Sequence, residues 1–473
     1  MKVIIENWEP IEKCEYNLDK SVSVTYGENN IGKSYAMQLI YLYLKNLIFF
    51  AKRQLKFKYY YFGAEDSVVR ELVIKFAENE TTNEKDITQN LIDIFSSILE
   101  EDVLSELENS LRNTFGTYDS IIMKNPIVTI EISERISCIF DMKDRKIQSS
   151  ITVKPVFLKK TNSNFHKSRD GKRRMDIYVF DRNQVSSAID LIKEKIYEII
   201  RFFATELLSR IQGVYFLPAS RSGIYTGMSS FGPILAELSK NRAYIRGTIQ
   251  IPSISEPISD YYMELSTIRL KQENFCADIA EEIEQIVLNG EVLFDTKKKT
   301  ILYKSNDTEQ CMEMKDVSSM VSEISPITAY LKYIVRLDWP FYRIKNDHEE
   351  DHQSSVMIFI EEPEAHLHPE NQVKLMKIFT KLAKKPVKLF MASHSNYVFN
   401  ELNNRLLAGE LGRDEYAPVL MKYKDGKSST YDMKIDAFGV DDDNFQDVSE
   451  NILEEREMLI NNIVQKMEEM EEI

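Results

Sequence analysis

The chain is expected to adopt an α/β fold around a mixed β-sheet core, and two patterns carry that expectation. Val356–Ile360 and Val387–Ala392 are unbroken apolar runs separated by a helical stretch over 370–384, the pattern of buried parallel strands. Near the amino end, a strand over Ser21–Tyr26 turns through glycine directly into a helix over Lys33–Gln54. The length of 473 residues, 43% hydrophobic and 29% charged, suits a chain that buries a large core in about three domain-sized units or one elaborated domain.

Taken in order, Val3–Glu6 and Ser21–Tyr26 read as strands, and Lys33–Gln54 as a densely apolar helix. Thr81–Asn113 reads as an acidic helical region with Leu91, Ile92, Ile94, Phe95, Ile98 and Leu99 as its buried side. Ile127–Ile132, Ile136–Phe140 and Ile147–Val153 read as strands, with a turn at Asp141–Lys146 between the last two. Leu191–Ile211 reads as a long amphipathic helix, followed by a short strand at Val214–Leu217 and a loop-rich stretch over 224–258. Ile268–Ile286 is helical by pattern, and Asn289-Gly290 introduces a hairpin of Glu291–Asp295 and Thr300–Lys304 before a helix over 321–337. Residues 441–473 carry twelve acids against two bases, with Ile452, Leu459, Ile460, Ile463, Val464 and Met467 at helical spacing. That amphipathic helix is expected to dock on its own chain.

Several classes are disfavoured. The most apolar run, Leu39–Phe50, is twelve residues long and interrupted by Lys45, too short for a membrane span. No basic-then-apolar leader opens the chain, so no signal peptide is expected. Cys14, Cys138, Cys276 and Cys311 are far apart without a CxxC pair, which fits buried free thiols in a reducing cytoplasm rather than a disulfide framework or zinc ribbon. A net charge of −15 argues against a whole-molecule coat for nucleic acid.

The chemistry concentrates in three places. Gly27-Glu28-Asn29-Asn30-Ile31-Gly32-Lys33-Ser34 matches GxxxxGK[ST] between a strand and a helix. Its glycines allow a nest of N–H groups around phosphate, lined by Gly27, Asn29, Asn30 and Gly32; Lys33 supplies a cation, and Ser34 a hydroxyl for Mg²⁺. Val356–Ile360 ends in Glu361-Glu362-Pro363-Glu364. There Glu361 is read as part of the Mg²⁺ shell, and Glu362 as the base for an attacking water. Val387–Ala392 ends in Ser393-His394, placing an imidazole at the carboxyl end of a parallel strand, where it could meet a γ-phosphate.

Together these segments resemble the ABC-type ATPase heads of the AAA family ATPases, the clade containing the structural-maintenance-of-chromosomes and overcoming-lysogenization-defect proteins. Glu361-Glu362-Pro363-Glu364-Ala365-His366-Leu367-His368-Pro369, with Gln372, matches the EEPExHLHP form of the bacterial members. The resemblance implies an ABC-type P-loop ATPase head at 1–50 and 210–440, an inserted helical and β-hairpin lobe at 51–209, and a C-terminal helix at 441–473. Val317–Glu323 resembles the signature segment, SSGxxE in many relatives, with Met320 where glycine is usual. The resemblance implies that Ser319 reaches the γ-phosphate bound by a second subunit. It further implies an Mg²⁺-dependent ATPase that forms a homodimer or higher homo-oligomer and acts with a separately encoded effector, a nuclease or toxin, in bacterial anti-phage defence.

Other readings stay open. Arg221 divides between contact with nucleotide or partner and a capping or salt-bridge role. His366 and His368 are read as a dimer-crossing loop rather than a metal site. Asp441-Asp442-Asp443 is read as a solvated turn, there being no room after it for a Toprim nuclease fold. Lys159, Lys160, Lys167, Arg169, Lys172, Arg173 and Arg174 oppose one acid, Asp170. That run is either an exposed loop or a nucleic-acid grip, the latter supporting a DNA-repair or DNA-end-binding ATPase. Met320 would suit a slow nucleotide-gated scaffold.

Overall fold

The computed structural model describes residues 1–56, 63, 65–162, 167–179, 185–229, 254–270, 274–308, 310–337, 354–442 and 446–471, with backbone only over 446–450 and 464–471. Strands β1 (Lys2–Trp8), β2 (Ile11–Asn17) and β3 (Val22–Tyr26) open the chain, and α1 (Lys33–Lys56) follows the glycine loop. Next come α2 (Glu65–Glu78), β4 (Glu84–Asp86), α3 (Thr88–Leu99), α4 (Ser105–Thr114) and α5 (Tyr118–Ile122). The meander β5 (Ile127–Ser133), β6 (Ile136–Asp141) and β7 (Lys146–Ile151) precedes β8 (Val156–Lys160), β9 (Ser168–Asp170), β10 (Met175–Val179) and α6 (Val185–Arg210). After β11 (Ile211–Leu217), residues 221–229 are helical (α7), followed by α8 (Glu256–Ser266) and α9 (Ala277–Ile283). A small sheet of β12 (Gly290–Asp295), β13 (Thr300–Ser305) and β14 (Cys311–Glu313) leads to α10 (Ser319–Ala329). The last part holds β15 (Ser355–Glu361), α11 (Pro369–Leu382), β16 (Val387–Ala392), α12 (Asn396–Leu407), β17 (Tyr416–Lys424), β18 (Lys427–Asp432), β19 (Ile435–Asp436), β20 (Gly439–Val440) and α13 (Gln446–Glu471).

The main sheet has eleven strands in the order β11-β15-β16-β3-β17-β18-β2-β1-β5-β6-β7. The first five are parallel to one another, and all but one of the remaining pairings are antiparallel. Burial explains the apolar runs. Every residue of β3 and β15 is buried. Met357 and Phe359 face a core shared with α1 and α6, while Val356, Ile358 and Ile360 face a second core with α11 and α12. Helices on both faces leave no polar side for the strand to show.

Several elements differ from the sequence expectation, for local reasons. β2 carries Glu12, Lys13 and Glu15 among its few apolar residues, so its alternation is hidden although Ile11, Cys14 and Tyr16 are buried. The helical region expected from Thr81 begins at Thr88, after β4, because Asp86 accepts from the Thr88 N–H (2.8 Å) and hydroxyl and turns the chain. α6 begins at Val185, six residues before Leu191, because Ala188 and Ile189 are buried in the core. The stretch over 224–258 is not all loop, since α7 and α8 occupy its ends; 230–253 lie outside the described residues. The helix expected over 268–286 begins only at Ala277, and the one expected over 321–337 runs from Ser319 to a π-helical turn ending at Ile334.

Residues 127–151 extend the main sheet through β1 and share the core of α1 and α6, so this part of 51–209 is continuous with the sheet that holds β1, β2 and β3. The four-stranded sheet β4-β8-β10-β9 is separate from it. Cys14, Cys138 and Cys276 are buried, and burial pushes each thiol up to about 12; Cys311 is exposed, contrary to expectation. The described side chains of α13, 451–463, are all exposed, so that part of the helix does not dock on its own chain; Val464 and Met467 lie outside the described side chains. Among the described residues, no helix is long and apolar enough to cross a membrane.

Candidate functional site

Strand register builds the site. Thr25 of β3 pairs with Ala392 of β16, and Ala392 pairs with Glu361 of β15, so three strands end in one row. The row continues one residue further: Ser393 N donates to Thr25 O (3.1 Å), and Glu362 N donates to Ala392 O (2.9 Å). Parallel strands therefore deliver the glycine loop, the Ser393-His394 tip and the paired carboxylates to the same sheet edge.

The loop has the backbone its glycines allow. Gly27 and Gly32 lie at φ +138° and +102°, with Asn30 at +62° between them. A Cβ at Gly27 would stand 2.4 Å from Met421 O on β17, so this position requires glycine for space as well as for φ. Buried Ser428 of β18 donates its hydroxyl to Ile31 O (2.5 Å) and fixes the loop from the other side. Asn29, Asn30 and Ser34 are exposed at the rim.

Lys33 is 5% exposed. Its Nζ donates to Gly27 O (2.8 Å) and Glu28 O (2.5 Å) and lies 3.4 Å from His394 Nδ1. Burial lowers its pKa to about 8, against the opposing pull of Glu362, Glu364 and Glu28. Burial, then the Lys33 charge, lowers the pKa of His394. A neutral ring with its proton on Nε2 accepts from the ammonium at Nδ1.

Glu361 is 5% exposed. Its carboxylate accepts from Ala219 N (3.0 Å) and Gln38 Nε2 (3.5 Å) and is bonded by Ser34; burial nevertheless raises its pKa. Glu362 sits at φ +43°, a strained backbone for a side chain of this kind, at the turn out of the strand. Glu364 lies beneath, its Oε1 accepting from Ser393 Oγ (2.9 Å) and His394 N (2.7 Å), and burial raises its pKa as well.

The structure thus gathers Lys33, Ser34, Glu361, Glu362 and His394. Ser319 stands exposed at the first turn of α10, where Ser318 caps the helix by accepting from Val321 N (3.4 Å). Met320 is half-buried and receives the Asn371 amide at its sulfur (3.1 Å). The Arg221 alternatives resolve toward a structural position: the side chain is fully buried, with none of its surface free for a soluble nucleotide. His366 and His368 are exposed, and His368 accepts from Glu370 N (3.4 Å) at the start of α11. Among the described residues, no three His, Cys, Asp or Glu side chains cluster as metal ligands. Gln38, Glu364 and Ser428 also belong to the site. Gln38 could have been found one helical turn beyond Ser34 on the same face, and Glu364 from its place in the EEPE run, whereas no local pattern marks Ser428.

The basic run is not one free patch. Lys159 and Arg174 both pair with Glu84 and Asp176, and Lys154 pairs with Asp170. Lys167, Arg169, Lys172 and Arg173 are exposed on and around β9; residues 163–166 lie outside the described residues, as does Asp443 of the acidic triplet.

The family model described as AAA ATPase domain matches residues 1–399. A search of curated proteins finds no match. Among solved structures, the chain is similar to the SMC head domain from Thermotoga maritima, with TM-score 0.34, 9% identity, and coverage of 92% of this chain and 98% of that one. It is also similar to the Smc head domain with an extended coiled coil bound to the C-terminal domain of ScpA, from Pyrococcus furiosus, with TM-score 0.31, 10% identity, and coverage of 96% and 98%.

Proposed function

The chain belongs to the AAA ATPase domain family, and from that premise we propose that it hydrolyses ATP to ADP and phosphate as an ABC-type enzyme that dimerises around the nucleotide. One observation carries the reading: the row Thr25–Ala392–Glu361, which sets Lys33, the carboxylates and His394 at one edge.

The residues suit Mg²⁺. Ser34 and Glu361 offer two oxygens, enough for an ion that keeps waters and takes phosphate oxygens, and among the described residues no ion pair is seen for the buried Glu361 carboxylate. When bound, the ion would neutralise phosphate charge there. The loop N–H groups and Lys33 hold the phosphates. Glu362 takes the proton of the attacking water, and His394, neutral, donates Nε2–H toward the γ-phosphate. Stabilisation comes from donors already in place rather than from a covalent step.

Ser319 of a second copy completes each site across the dimer, so ATP joins the subunits and hydrolysis releases them. Met320, a side chain where backbone approach is close, makes turnover slow. The movement is passed to a separately encoded effector, and the setting is bacterial anti-phage defence. Phosphate release from ATP, with Mg²⁺ and with EDTA, tests the enzyme. Light scattering of Glu362→Gln with ATP tests the dimer. A protein that releases no phosphate removes the first claim, and a variant monomeric in saturating ATP removes the second.

A further inference from the structure

We propose that Arg221 and Glu323 form a positioning pair that ties the first turn of α10 to the backbone of the two carboxylates ending β15, so that contact at Ser319 is felt at Glu362. The inference rests on the ATPase reading above and names how that site is regulated.

Arg221 is 0% exposed and Glu323 1%. The guanidinium spends its donors on main-chain carbonyls: Nη1 to Glu361 O (2.7 Å) and Pro218 O (3.2 Å), Nη2 to Glu362 O (3.1 Å), and Nε to Glu323 O (3.2 Å). Its Nε also lies 3.4 Å from Glu323 Oε2. The other Glu323 oxygen accepts from Ser222 N (3.2 Å) and Ser222 Oγ (2.5 Å). Two residues before Arg221, Ala219 N donates to the Glu361 carboxylate (3.0 Å). The segment 218–222 therefore touches the side chain of Glu361, the main chain of Glu361 and Glu362, and α10.

A buried ion pair is by itself a poor source of stability, and a planar five-donor fork is suited to fixing geometry. What it fixes here is Glu362, whose φ of +43° needs outside support. Glu323 lies four residues beyond Ser319, on the same helix face. The other end of the helix joins the same point: Tyr330 OH donates to Tyr261 O (3.0 Å), and Tyr261 OH donates to Arg221 O (3.1 Å). A shift of α10 as a rigid rod thus acts on the arginine that holds the Glu362 carbonyl.

The test uses the full chain carrying Glu323→Gln, which keeps the shape and the acceptor for Ser222 but removes the charge facing Arg221. ATP affinity should stay within threefold of wild type while kcat falls at least tenfold. Ser319→Ala should lower kcat in the wild-type background and, added to Glu323→Gln, should lower it less than a further twofold. Arg221→Lys, unable to span all the carbonyls, should show the same split. The coupling is overturned if kcat of Glu323→Gln stays within twofold of wild type, if the Ser319→Ala effect is additive, or if affinity and turnover fall together with Tm. Failure of both variants to fold would assign the pair to stability alone and likewise overturn it. Wild-type turnover abolished by Glu362→Gln but untouched by Glu323→Gln sinks only the coupling, whereas absence of wild-type turnover sinks the ATPase reading and this inference with it.

Discussion

The two halves of the eleven-stranded sheet use charge in opposite ways. In the parallel half, β11-β15-β16-β3-β17, all strands run the same way and their carboxyl ends share an edge, where Lys33 and Glu361 are buried. In the half from β18 to β7, strand direction alternates along most of the pairings, so no edge collects strand ends of one kind. Its ions pair locally at the surface instead, as Lys2 does with Glu15 (2.5 Å) and Lys427 with Glu12 (3.2 Å). Buried charge needs a reason, and exposed pairs contribute little. On the function proposed above, the parallel half carries the site and the other half braces it.

Substitutions in the two halves should separate turnover from stability. The largest effect is expected for Glu362→Gln, which should lower ATP turnover by about 10²–10⁴-fold, the usual range for a lost general base, with ATP affinity within threefold. Steady-state phosphate release and nucleotide titration check it, and a loss below tenfold would break the contrast. Phe140→Ala, in β6, removes a fully buried ring that meets Tyr43 edge-on (5.0 Å) and should destabilise by about 3–5 kcal/mol, seen in urea melts. Turnover per folded molecule should be unchanged.

A smaller effect is expected from pH. Lys33 titrates at about 8 in the folded chain, below its unfolded value, so the cost of burying its charge is fully present below pH 8 and fades as pH rises through and beyond that value. Phosphate needs the charged form, so ATP affinity should fall above about pH 8, approaching tenfold per unit, and Lys33→Arg should flatten the profile. Titrations from pH 7 to 9.5 would reveal a level wild-type profile if the lysine does not contact phosphate. The smallest effect belongs to Lys2→Ala, whose exposed pair in β1 should contribute no more than about 1 kcal/mol, lost in high salt.

Legibility followed the range of the signal. The strands of β5, β6 and β7 show in their alternation because one face of each meets the core. β2 does not, since its charges interrupt the pattern, and β17 carries Pro418 in the middle of a strand paired with β3, against the usual reading of proline. Glycine loop, carboxylate pair and histidine are each local runs and could be read as such. Arg221 could not be, because its partners Glu323, Glu361 and Glu362 lie 102 or more positions away and its type alone fits several roles.

The amino-acid order alone determined the strand–glycine–helix unit at 22–34 and the apolar strands that end in Glu361-Glu362 and Ser393-His394, because backbone φ preferences and burial patterns act over a few residues. Only the folded chain decided that these three ends share one row, that Arg221 grips the carboxylate backbone, and that part of the basic run is neutralised by Glu84 and Asp176. Those outcomes depend on which strands pair and in what register, a competition among distant segments that no short stretch of sequence encodes.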